Sequence, residues 1–191
     1  SGFTYENGVF SDINPIEAML NAAWFTQALH MTLAAFVATG FAVAGIHAYQ
    51  IYKGRNIELH KKAFRIAIIF AAIAALLQPI SGDISAKDIA KRQPAKLAAL
   101  EAHYETEKGA PLYIGGIVDE KNQEVTYKIE IPKALSFLAF GDFDAEVKGL
   151  NDFPKDEQPP VAIVHYSFQI MVGIGVLLAI VGLFYLLSLK W

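Results

Sequence analysis

Residues 24–51 read WFTQALHMTLAAFVATGFAVAGIHAYQI, an apolar stretch that contains two histidines and no Asp, Glu, Lys or Arg. A helix that rises about 1.5 Å per residue needs about 20 such residues to cross the roughly 30 Å hydrocarbon layer of a bilayer. The stretch therefore predicts a membrane-spanning helix. Because Asn14-Pro15 is a helix-start signal, we expect the first span to occupy residues 15–52, after an N-terminal segment of residues 1–14.

Two further apolar stretches predict two more spans. The second, residues 63–81, is interrupted at Pro79 and is expected to stop at Ser81-Gly82-Asp83. The third, residues 161–189, precedes Lys190-Trp191. Together the three stretches predict an all-α transmembrane helix bundle in contact with membrane lipid, with a long loop between the second and third spans.

The charge of the short connection at residues 53–62 predicts the orientation of the spans. This connection and its flank contain several basic residues against a single acid, Glu58. Short loops rich in Lys and Arg stay in the cytoplasm, so residues 1–14 and 82–160 are expected to be extracytoplasmic. The basic residues are Lys53, Arg55, Lys61, Lys62 and Arg65.

The 82–160 loop is the part of the sequence that resembles a water-soluble protein. Residues 85–108 have a helix-forming composition, with a new helix expected at Pro94 and an end at Gly109-Ala110-Pro111. Alternating apolar and polar residues around a turn near Asp119 to Asn122 predict a small hairpin. The remainder of the loop is polar and acidic and is expected to be irregular.

The composition excludes several classes of function. The chain has 191 residues, of which 54% are hydrophobic and 18% charged, and its net charge of −3 leaves no basic surface for nucleic acid. It has no cysteine, which excludes disulfides, thiolate zinc sites, iron–sulfur clusters and covalently attached haem. A metal must therefore bind to His, Met or carboxylate side chains.

His30 and Met171 are candidate ligands of a haem iron. If the first and third spans both run inward, His30 lies about 9 Å below Trp24 and Met171 about 15 Å below Val161, in the same half of the bilayer. A His–Met pair is a known axial set, and without cysteine the haem would be non-covalent and b-type. The alternatives are a histidine that bonds two helices and a methionine that fills a gap in the core.

The other histidines have weaker patterns. His165 competes with Met171 as a ligand, but it lies about 240° around the helix from Met171, so both cannot bind one iron. His47 has no evident partner and is interpreted as structural. His60 and His103 are expected to be solvated in loops.

Lys96 and Glu101 form a third candidate site within the string QPAKLAALE, residues 93–101. Oxidation of a quinol needs a donor or cation for the ring oxygens and a carboxylate that accepts a proton. On a helix the two side chains would be about 140° apart, so they would contact different parts of a ligand. The alternative is an ordinary solvated helix with surface charges.

The chain resembles subunit I of cytochrome bd-type quinol oxidases. The resemblance depends on five strings in the order of that family, of which QPAKLAALE is the most specific. They are ALHM at 28–31, KGRN at 53–56, GD at 82–83, QPAKLAALE at 93–101 and IMV at 170–172.

This resemblance implies specific roles for the candidate residues. His30 and Met171 match the axial ligands of a low-spin, b558-type haem b, and Lys96 and Glu101 match quinol-binding residues of the family's Q-loop. Many members have an arginine where this chain has Gln169. The protein would be a multi-pass component of a prokaryotic cell (inner) membrane.

The resemblance also implies that the chain is incomplete as an oxidase. The family has about nine spans, and the helices that carry the high-spin haem b and haem d are absent, so the chain would be a fragment or the product of a split gene. Other oxidase subunits or the missing helices would complete it. The alternatives are a non-catalytic haem-binding or assembly subunit and a cofactor-free membrane interaction protein.

Overall fold

A computed structural model describes residues 2–6 and 8–189 of the chain, which form six α-helices and eight short strands. Lys190 and Trp191, expected to follow the third span, lie outside the described residues. Helix α1 is Pro15–Met19, α2 is Trp24–Tyr52, α3 is Ile57–Arg92, α4 is Pro94–Glu101, α5 is Ala134–Phe140 and α6 is Val161–Ser188.

Helices α2, α3 and α6 are the three described helices that are long and apolar enough to cross a membrane. Most of their apolar side chains lie on the surface of the molecule, as expected for helices that are solvated by lipid rather than by water. The predicted all-α architecture with three spans is confirmed.

The prediction of one continuous first helix from residue 15 is wrong, because Asn21 interrupts it. Helix α1 begins after Asn14, whose side chain accepts a hydrogen bond from the Glu17 N–H at 3.2 Å. The Asn21 side chain donates to the Ala18 carbonyl at 3.0 Å and accepts from the Ala23 N–H at 2.9 Å. These local bonds satisfy backbone groups outside a helix and separate α1 from α2.

An unpredicted hairpin precedes α1. Strand β1, Thr4–Glu6, pairs antiparallel with β2, Val9–Ser11.

The expected stop of the second span at Ser81-Gly82-Asp83 is also wrong, because α3 continues through Pro79 to Arg92. Near the proline, the Ser81 hydroxyl donates to the Gln78 carbonyl at 3.0 Å. Farther on, Asp83 pairs with Lys87 and Asp88 with Arg92, each four residues apart. Such pairs stabilise a helix, and one proline removes only one of its hydrogen bonds. The helix also begins at Ile57, so most of the expected 53–62 loop is helical.

The chain divides into two compact units, residues 1–81 and 82–191. In the first unit, α2 packs closely on α3. A Cβ atom added to Gly40 would lie 2.7 Å from the Cβ of Ala71, so the glycine is required for this approach. Small residues at a contact between spans let helix backbones come close together.

The second unit contains the inter-span segment, residues 93–160, which has more structure than its sequence predicts. Helix α4 ends at Glu101, earlier than expected, because Ala102 adopts a left-handed conformation with φ 49°. The strands are β3 (Glu107–Lys108), β4 (Leu112–Ile114), β5 (Ile117–Asp119), β6 (Glu124–Thr126), β7 (Ile129–Ile131) and β8 (Glu146–Val147).

These strands form three antiparallel pairs. Strand β5 pairs with β6 and β4 with β7, so a small hairpin, at the predicted place, lies inside a larger one. Strand β3 pairs with β8. Helix α5 and a 3₁₀ turn at Leu150–Asp152 lie in the part that was expected to be irregular, and Leu135 and Leu150 are fully buried there. That expectation is therefore wrong.

Candidate functional site

His30 lies on α2 in the first unit and is hydrogen-bonded to α3. Its Nδ1 is 3.0 Å from the Ser81 hydroxyl. That hydroxyl donates its own hydrogen to the Gln78 carbonyl. Ser81 therefore accepts from the imidazole, so Nδ1 carries the hydrogen and Nε2 carries the lone pair. The Gln78 amide nitrogen lies 3.2 Å from Nε2 and 3.5 Å from Nδ1, and it donates to the His30 carbonyl at 3.3 Å. This orientation by an outer partner is typical of histidines that bind metals through Nε2.

Met171 lies on α6 in the second unit and is 54% exposed. His30 and Met171 thus belong to different units, and their pairing remains a prediction. Among the residues that the structure describes, no group of three or more His, Cys, Asp or Glu side chains forms a metal site.

Glu101 is the buried carboxylate of the second unit. Glu101 is only 6% exposed, and its Oε2 has no hydrogen-bond partner within the described part of the chain. Burial raises the pKa of its carboxyl to about 7, because removal from water penalises the charged form. A carboxyl with such a pKa exchanges protons near neutral pH.

Lys96 lies on the same helix but is exposed, so the structure does not bring it together with Glu101. Helix α4 buries Leu97, Ala98 and Ala99 next to Lys96, which shows that the helix is not simply a solvated surface element.

Helix α4 packs against the first turns of α6. Ala98 and Ala99 share a buried cluster with Val161, and the His165 Nδ1 lies 2.8 Å from the Leu100 carbonyl. His165 is fully buried, and its Nε2 has no partner among the described residues. No sequence pattern predicts this contact, because residues 100 and 165 are distant along the chain.

Further hydrogen bonds attach the inter-span segment to the same side of α6. The Glu120 carboxylate accepts from the Ala162 N–H at 2.8 Å, and the Tyr166 hydroxyl accepts from the Val118 N–H at 2.9 Å. The Gln169 amide donates to the Tyr113 carbonyl at 2.9 Å. Positions three to four residues apart lie on one helix face, so these residues form a continuous stripe.

The remaining histidines differ from the expectations. His47 does have a partner, because its Nδ1 lies 2.7 Å from the Nδ1 of His60, which belongs to α3 and not to a loop. His103 is buried rather than solvated, and burial lowers the pKa of its imidazole. Its Nε2 has no partner among the described residues.

Comparison with known proteins gives consistent results. The family model for cytochrome bd terminal oxidase subunit I matches residues 1–191. A Bacillus subtilis (strain 168) protein named as a cytochrome bd menaquinol oxidase subunit I is 43% identical over 182 residues, which cover 93% of this chain and 41% of the relative. Cytochrome bd ubiquinol oxidase subunit 1 of the same organism is 30% identical over 193 residues, covering 95% and 41%.

A solved structure also matches. The bd oxidase from Geobacillus thermodenitrificans superposes with a TM-score of 0.89 at 41% sequence identity, over 98% of this chain and 43% of that chain. The chain therefore spans less than half the length of the relatives that it matches.

Proposed function

The chain belongs to the family of cytochrome bd terminal oxidase subunit I, and on that basis we propose that it is the quinol-oxidising, haem b-binding part of such a subunit. Oxidation of a quinol to a quinone releases two protons and two electrons. The chain would receive the protons on its own side chains and pass the electrons toward an oxygen-reducing site that other helices or subunits carry. The observation that carries this proposal is the buried Glu101 within QPAKLAALE.

Glu101 would act as the proton acceptor. A general base works best when its pKa is close to the ambient pH, and burial raises the pKa of this carboxyl to about 7. Its buried Oε2 lacks a hydrogen-bond partner within the described residues, so it can accept a hydrogen bond from a quinol hydroxyl that reaches it. Lys96, exposed on the same helix, would orient the ring or headgroup from another direction.

His30 and Met171 would hold the low-spin, b558-type haem b. The residues fit this group, because the Ser81 contact leaves the lone pair of His30 on Nε2 and a thioether is an accepted second ligand. Ligation would require the Gln78 amide to leave the Nε2 atom that it now contacts. When bound, the haem supplies a one-electron acceptor for the quinol.

The charge of residues 53–62 supports a location of the site on the outer side of the membrane. The basic residues of this stretch would lie in the cytoplasm of a prokaryotic cell, and the inter-span segment would lie on the outer side of the membrane. Protons from the quinol would then be released outside. Lipid, a membrane quinol and the helices that bind the high-spin haem b and haem d are the expected partners.

Substitution of Glu101 in the assembled oxidase tests this proposal. We expect Glu101→Gln to reduce quinol oxidation at least about 100-fold, in the range of a lost general base, while haem absorbance remains. Glu107→Gln, which alters an exposed carboxylate in nearby β3, is the matched control. Full activity of Glu101→Gln would favour a non-catalytic haem-binding or assembly subunit.

The absorbance spectrum tests the haem part separately. We expect His30→Ala to remove the low-spin haem signal of the assembled complex. An unchanged spectrum would contradict the ligand assignment, and a complete lack of haem in the unsubstituted protein would favour a cofactor-free interaction protein.

A further inference from the structure

His165 is a fully buried histidine in the first turns of α6, and the proposed function does not yet use it. Its Nδ1 lies 2.8 Å from the Leu100 carbonyl oxygen of α4. A carbonyl only accepts hydrogen bonds, so Nδ1 must carry the proton and Nε2 the lone pair. The contact therefore fixes both the tautomer and the orientation of the ring.

The bond from His165 completes the C-terminal cap of α4. The last carbonyls of a helix have no partner within the helix. Here the Ala98 carbonyl accepts from the His103 N–H at 2.8 Å, and the Ala99 carbonyl accepts from the Ala102 N–H at 3.3 Å. The Leu100 carbonyl is satisfied by His165, a side chain from a different helix.

This carbonyl belongs to the peptide unit that joins Leu100 to Glu101. A peptide unit is planar, so the Leu100 oxygen and the Glu101 Cα are held in one rigid group. A restraint on the Leu100 oxygen is consequently a restraint on the position of the Glu101 Cα, to which the side chain is attached. The next residue, Ala102, is in the left-handed region, so the chain turns away immediately after Glu101.

We propose that His165 is a positioning residue for Glu101, acting through the Leu100 peptide rather than on the quinol. The inference rests on the proposed role of Glu101 as proton acceptor. His165 would hold the carboxyl at a fixed place relative to α6, the helix that carries Met171. A displacement of about 1 Å at a reacting group can reduce a rate about 100-fold, so such a restraint affects turnover.

Two substitutions separate the two ring nitrogens. In His165→Asn the side-chain amide nitrogen replaces Nδ1 and nothing replaces Nε2, whereas in His165→Gln the amide nitrogen is near the place of Nε2. In the assembled oxidase, we expect His165→Gln to lower quinol oxidation at least about tenfold, and His165→Asn to restore most of it. Haem absorbance measures assembly of each variant.

Hydrogen exchange of the whole chain gives a second measurement. His165→Gln should speed exchange of the Ala102 and His103 amides, and His165→Asn should leave them close to the unsubstituted rate. If His165→Asn is as impaired as His165→Gln, or if neither is impaired, the Leu100 bond is not the functional contact and the proposal is wrong.

A double substitution distinguishes positioning from general support of the fold. If His165 acts through Glu101, His165→Gln should cause no further loss of activity in a Glu101→Gln background. An equal additional loss in that background would show an independent role and overturn the proposal. If Glu101→Gln alone leaves quinol oxidation unchanged, the proposed function itself is wrong. If Glu101→Gln lowers quinol oxidation but His165→Gln does not, only the positioning role is wrong.

Discussion

The Gln169 side chain donates to the Tyr113 carbonyl at 2.9 Å, and its oxygen lies 3.4 Å from the Gly115 N–H. One amide therefore bonds both ends of a short backbone stretch. Because Gln169 lies two residues before Met171, strand β4 is attached to α6 next to the proposed haem ligand. The arginine that many family members have at this position could donate to the carbonyl but could not accept from the amide.

Loss of the Gln169 side chain should therefore loosen β4. We expect Gln169→Ala to speed hydrogen exchange of the Gly115 amide up to about tenfold, since a hydrogen bond contributes about 1 kcal/mol. Gln123→Ala is the control, because Gln123 lies in the same segment but bonds to the Asn151 side chain. Equal effects of the two substitutions on Gly115 would contradict a specific attachment.

The buried carboxyl of Glu101 should make stability depend on pH. Its pKa is raised from 4.5 to about 7, so the folded protein holds a proton that the unfolded chain releases between these values. Stability should then fall as pH rises from about 4.5 to about 7 and remain level above, by up to about 3 kcal/mol. Glu101→Gln should raise the Tm of the assembled complex at pH 8 and leave it nearly unchanged at pH 4. A lower Tm at pH 8 would show that the ionised carboxylate is stabilised.

The Ser81 hydroxyl should tune the proposed His30 ligand. Ser81→Ala removes the group that accepts from Nδ1, and loss of such an outer partner reduces metal affinity about 10- to 100-fold. We expect a weaker or shifted low-spin haem band, measured by absorbance of the reduced complex. Ser85→Ala, which removes a buried hydroxyl without a partner among the described residues, should leave the band unchanged. Equal spectra for the unsubstituted protein, Ser81→Ala and Ser85→Ala would argue against this role of the Ser81 hydroxyl.

The close approach of α2 and α3 predicts a difference between two glycines. Gly40→Ala would place a methyl group 2.7 Å from the Ala71 Cβ, so the helices must separate, at a cost of about 1–3 kcal/mol. A Cβ added to Gly45 meets nothing within 4 Å, so Gly45→Ala should be neutral or slightly stabilising. Thermal unfolding in detergent measures both. If Gly40→Ala leaves the stability unchanged, the two helices separate at little cost in free energy and the prediction is wrong.

The sequence predicts the three spans well because hydrophobic length is a local property, and it predicts the inner hairpin because Asp119 to Asn122 form a local turn. It also contains evidence that α3 extends to Arg92. The prediction of an earlier end gave more weight to Pro79 and Gly82, which are helix-ending signals. Asp83 with Lys87 and Asp88 with Arg92 have the four-residue spacing of helix-stabilising pairs.

The contacts of the candidate site were less predictable. Burial of Glu101 depends on the packing of α4, and the partner of His165 is a backbone carbonyl, which no side-chain pattern reveals. The site residues could be chosen from chemistry and resemblance, but their surroundings come from contacts between residues far apart in sequence.

The 2.7 Å distance between the Nδ1 atoms of His47 and His60 has a consequence for the turn between α2 and α3. At that separation only one hydrogen lies between the rings, so one imidazole donates while the other accepts. The donor then has its lone pair on Nε2, and the acceptor, if neutral, has its hydrogen there. When both rings are neutral, the pair therefore presents one acceptor and one donor at its two Nε2 atoms, so the end of α2 and the start of α3 offer opposite hydrogen-bonding groups.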